Sequence, residues 1–108
     1  MIIQMIREGE AKQALAMLAE KYGVNPPRLR IGTVKGRRKV LGCYIPRKGI
    51  IYVSTSEIMM EPFVVLHEFY HHLRSSEGKF GRSEKHAEKF ATEFLQSTRV
   101  PSQSPGPI

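Results

Sequence analysis

The stretch Val64-Val65-Leu66-His67-Glu68-Phe69-Tyr70-His71-His72-Leu73 limits what this chain can become more than any other. Residues four apart on a helix lie on one side, a turn apart, so His67 and His71 can offer two imidazoles to a single cation. Glu68 is turned about 100° from His67 on a helix of 3.6 residues per turn. Its carboxylate then stands beside the metal face and reaches a metal-bound water without taking a coordination position. Val64, Val65, Leu66 and Leu73 are apolar, which predicts a buried helix whose ligands face a cleft. The competing explanation is a buried helix with two hydrogen-bonded histidines and no metal.

A chain of 108 residues is one domain with a single core. Apolar residues recur near a 3.6 period from Ile2 to Tyr22 and predict an N-terminal helix, with Gly9 loosening its first turns and Gly23 ending it. Arg28 to Val34 alternates as a half-buried strand, Lys35 to Arg38 is a turn, and Lys39 to Ile45 is a second strand interrupted by Gly42. After a turn at Pro46 to Gly49, Ile50 to Val53 has strong β propensity. The expectation is a three-stranded sheet or meander whose last two strands form a hairpin. An edge strand of such a sheet can hold an extended peptide through main-chain hydrogen bonds.

Ile58 to Met60 reads as a short helical turn, and Pro62 suits the first position of a helix running to about Arg74. Ser83 is an N-cap for the next helix, which carries the stripe Ala87, Phe90, Ala91, Phe94 and Leu95 and is expected to end near Ser97. Residues 98–108 hold three prolines and no periodicity, and form a tail. The fold class is therefore α+β, with a minimal catalytic domain over residues 1–97 and a Pro-rich tail over 98–108.

Composition narrows the chemistry. No aspartate occurs, so every side-chain carboxylate comes from ten glutamates, and an aspartate dyad is excluded. The single cysteine, Cys43, allows no internal disulfide and fits a reducing, cytoplasmic setting. Ile2 to Ile6 is too short and too quickly charged for a signal peptide, and no run approaches the roughly 20 apolar residues of a membrane span. A soluble protein without a membrane partner is expected.

The net charge is +7. Eight of the 17 basic residues lie between Arg28 and Lys48, and no acid occurs between Gly23 and Ser56. Such a segment suits nucleic acid or an acidic substrate. Along the sequence no aromatic platform is interleaved with the charges, which argues for a solvated basic hairpin instead.

A catalytic zinc takes three protein ligands and keeps one position for water. Beyond His67 and His71, the candidates are Glu84, His86 and Glu88 on the following helix. Helical phase slightly prefers Glu84, nearest the centre of the apolar stripe. His86 stands one turn before Phe90 and offers imidazole, the commonest neutral zinc ligand. His72 points about 100° away from His71 and reads as a polar residue at the helix margin.

The pattern His67-Glu68-x-x-His71, followed by His86-x-x-x-Phe90, resembles the minigluzincins, very short soluble zinc metallopeptidases. It is also similar to SprT-like DNA-associated proteases and to the catalytic domains of integral-membrane metallopeptidases, although membrane helices are lacking. The resemblance covers nearly the whole chain. It implies a minimal zincin fold, one Zn2+ per chain held by His67, His71 and His86, and Glu68 as general base for attack on a peptide or protein substrate. It also implies latency, with residues 98–108 lying extended in the cleft. A basic nucleic-acid-binding module and a metal-binding scaffold without turnover are the alternatives.

Overall fold

The computed structural model describes residues 1–33, 40–78 and 84–103, with side chains described as far as Ser97. The architecture is α+β, with four α-helices and one three-stranded sheet. The expected N-terminal helix is divided into α1 (Ile2–Arg7) and α2 (Ala11–Tyr22). Gly9 makes the break at φ 86°, a conformation that costs an L side chain but not glycine. Gly23 ends α2 in the left-handed conformation, as its position predicts.

Strands β1 (Arg28–Ile31), β2 (Gly42–Ile45) and β3 (Ile50–Val53) follow. Their spatial order is β1-β3-β2, with β1 parallel and β2 antiparallel to β3. The hairpin of the last two strands is thus present, while β1 joins the far side of β3 rather than continuing a meander. Gly42 begins β2 instead of interrupting a longer strand. The predicted turn at Lys35 to Arg38 lies outside the described residues. In register, Leu29 faces Ile51 and Ile51 faces Tyr44. Leu29, Ile51 and Val53 point to the helices and join their core.

A 3-10 turn at Ile58–Met60 leads into α3 (Pro62–Ser76), with Pro62 in its first turn and Gly78 at φ 77° just beyond its end. The centre of the core is Phe69 with Leu66 and Val65 from α3, Ile6 from α1, and Leu15 and Leu18 from α2, all fully buried. Each such side chain contributes about 1.5–3 kcal/mol through burial.

The last helix, α4 (Glu84–Gln103), packs along α3. Ala87 and Ala91 are fully buried and let the two helices approach closely, while the Phe90 ring sits near those of Phe69, Tyr70 and Tyr22. Helical backbone continues six residues past the expected end at Ser97, through Pro101 to Gln103. The proposed N-cap Ser83 and residues 104–108 of the tail lie outside the described residues. Among the described residues no helix is long and apolar enough to cross a membrane.

Candidate metal centre

Helix α3 presents three different faces. Val65, Leu66 and Phe69 enter the core; Val64 and Glu68 turn toward β2; His67 and His71 turn toward the start of α4. The rings of His67 and His71 lie 5.2 Å apart, one turn along the same side, as their spacing requires. The fold sets a carboxylate between them. His67 Nε2 is 2.7 Å from Glu84 Oε1, and His71 Nε2 is 3.5 Å from Glu84 Oε2.

These three residues form a group that can hold a metal ion: one donor atom from each lies within 4.8 Å of the others. Bonds of about 2.0–2.1 Å at tetrahedral angles place donor atoms about 3.3 Å apart, so the observed spacing needs only small side-chain adjustments to fit a cation. The two imidazoles are 14% exposed and Glu84 is 48% exposed, so the centre is open on one side. Partial burial pushes the Glu84 carboxyl upward. The His67 hydrogen bond and the charges of both imidazoles outweigh it, and the carboxyl sits below its ordinary range.

The resemblance implied His86 as third ligand. The group the fold assembles holds Glu84 instead, and His86, exposed two residues further along α4, is outside it. The reason is helical phase. Ala87 and Ala91 fix the side of α4 that meets α3, and Glu84, three residues before Ala87, lies on that side. His86 is rotated about 100° from Ala87 and emerges beside the contact. Glu88 is exposed and also lies outside the group.

Glu68 is 8% exposed and packs against the first residue of β2. A Cβ placed on Gly42 would come within 3.2 Å of Glu68 Cγ, 3.5 Å of Glu68 Oε2 and 2.9 Å of Val64 Cγ1. Gly42 is therefore the residue that lets the strand pass this close to the carboxylate. Among the described strands, β2 pairs only with β3.

His72 is not at the margin of the helix. It is 7% exposed, its Nε2 donates to the Asn25 carbonyl oxygen at 2.6 Å, and its Nδ1 lies 2.8 Å from the Tyr44 hydroxyl. A carbonyl can only accept, so Nε2 carries the proton, and in the neutral ring Nδ1 accepts from Tyr44. Burial raises the Tyr44 phenol above its ordinary value, with a hydrogen bond to Ser75 opposing it.

The geometry stands alone. No protein-family model matches this chain, and no curated protein or solved structure matches it. What the centre can do is read from its own donors and from the residues packed around them.

Proposed function

We propose that this chain is a zinc-dependent metallopeptidase. The observation that carries the proposal is Glu68: a carboxylate one residue from a ligand-grade histidine, set against an edge strand that only a glycine allows so close. His67, His71 and Glu84 would hold the zinc. The metal, when bound, supplies Lewis acidity that lowers the pKa of a water to about 7 and polarises a carbonyl. A glutamate ligand cancels one unit of charge, so this acidification is weaker than three imidazoles would give.

The protein's own parts supply the rest. The outer edge of β2 would take an extended peptide as an added strand and bring its carbonyl past Glu68. Glu68 would accept the proton of the attacking water and pass it to the leaving amine, a role worth about 10²–10⁴ in rate. Partial closure by Gly42 and Val64 keeps that carboxylate from swinging into solvent.

Two imidazoles and a carboxylate also suit Fe(II) and Co(II), so metal analysis comes first. Protein loaded with each metal should be tested on casein and on a mixed peptide library, as the full chain and as a chain ending at Gln103. Zinc-dependent cleavage is expected in at least one form, together with stoichiometric zinc and no cleavage in Glu68→Gln. Zinc binding with no cleavage in either form would leave a metal-holding scaffold. Faster cleavage by the shortened chain would support latency through the last residues.

A further inference from the structure

The sheet has a second face. Arg28 and Arg30 on β1, Tyr52 on β3 and Cys43 on β2 alternate with the residues that point to the helices, and so stand on the opposite side. In linear order the aromatic among these cations is Tyr44, whose hydroxyl turns to His72 on the helix side. On the outer face the aromatic is Tyr52, which pairs directly with Arg30. Its half-buried ring lies beside the buried Cys43, with which it is also in register.

Two further cations belong to the same patch. The β2–β3 turn exposes Arg47 and Lys48, and Arg28 Nη2 donates to the Lys48 carbonyl oxygen at 3.3 Å, which ties β1 to that turn. No acid occurs from Val24 to Thr55, a span that contains all three strands. Four more basic residues fall between Thr33 and Val40 in the sequence, so local charge is not neutralised from within this span.

We propose that this outer face of the sheet binds single-stranded nucleic acid, with Tyr52 stacking on a base and Arg28, Arg30 and Lys48 meeting backbone phosphates. An aromatic ring on a sheet face, flanked by exposed cations such as Arg28 and Arg30, is an arrangement that accepts unstacked bases. A duplex hides its base faces and would gain nothing from Tyr52, and an anionic lipid surface would need only the charge. The face lies opposite α3, so this inference stands whether or not the metal centre hydrolyses peptides.

Fluorescence anisotropy of labelled oligothymidylate and oligouridylate, titrated with the full chain over a range of salt, tests it. Both strands should bind, with log K falling linearly as log salt rises. Arg30→Gln and Lys48→Gln should each flatten that slope by about 0.7, the value for one phosphate on a single strand. Tyr52→Leu keeps the side-chain bulk and should weaken binding roughly 5- to 100-fold at unchanged slope, while Tyr52→Phe should bind as wild type. Absence of binding at low salt, wild-type affinity in Tyr52→Leu, or tighter binding to a duplex or to phosphatidylserine vesicles would overturn the proposal.

Discussion

Removing Glu84 is the sharpest test of the centre, because the sequence motif alone leaves its third donor open. At free zinc about 100 times the dissociation constant, binding to the native state stabilises it by about 2.7 kcal/mol. For a domain of this size each kcal/mol moves the melting temperature about 4–8 °C, so zinc should raise it by roughly 11–22 °C. Loss of a mere hydrogen-bond partner to a metal ligand weakens affinity about 10- to 100-fold, and loss of a donor should reach at least the upper end. At 100-fold the same zinc only equals the new dissociation constant, and its contribution falls to about 0.4 kcal/mol, a shift of roughly 2–3 °C. Glu84→Ala also removes the 2.7 Å contact to His67, so each variant must be compared with itself in chelator. Calorimetric melts with and without zinc, beside competition against a chromophoric chelator, give both quantities. His86→Ala should keep the full zinc increment. If His86→Ala loses the increment and Glu84→Ala keeps it, the Glu84 contact is only an ion pair of the metal-free protein and the assignment is refuted.

Other consequences follow from single contacts. Gly42→Ala should destabilise the fold by about 1–3 kcal/mol through overpacking against Val64 and Glu68, and the double variant with Val64→Ala should recover part of it in denaturant melts. Tyr44→Phe leaves His72 Nδ1 buried without its hydroxyl partner and should cost about 1–3 kcal/mol, read by urea unfolding. The Glu84 carboxyl has a folded pKa below the ordinary value of 4.5, so its contribution is present above that value and lost as pH falls through the folded pKa. The metal-free melting temperature of wild type should therefore drop more steeply below pH 4.5 than that of Glu84→Gln.

Much of this was legible because it depends on spacing. His67 and His71 share a side of α3 in any helix, and Pro62, Gly23 and the Ala87–Leu95 stripe mark helix boundaries and faces through local physics. The order of the strands was not legible, since four-residue strands with free edges pair equally well in several topologies, and only the core contacts of Leu29 and Ile51 choose one. The third member of the group was half legible. The stripe on α4 pointed to Glu84 by phase, while chemical type and resemblance pointed to His86. The structure brings Glu84 to the two imidazoles because burying Ala87 and Ala91 fixes the helix rotation far more strongly than any one polar side chain can.

His72 was the residue least visible in sequence, and it explains how the centre is held. A helix can slide or rotate on an apolar bed, because dispersion contacts have little direction. His72 removes that freedom with two directed bonds, to Asn25 from the segment before β1 and to Tyr44 on β2. It stands next to His71 in the chain, about 100° around the same helix, so anchoring His72 fixes the rotation of the helix from which His71 projects. Gly42 on the same strand as Tyr44 then sets the clearance for Glu68. One short strand thereby positions both the ligand-bearing face of α3 and the carboxylate beside it. A loosened Tyr44–His72 pair should accordingly widen the metal-binding geometry without touching a member of the group, and Tyr44→Phe should weaken zinc affinity, by less than removal of a direct partner of a ligand, about 10- to 100-fold, would. Unchanged zinc affinity in that variant, alongside reduced stability, would confine His72 to holding the fold.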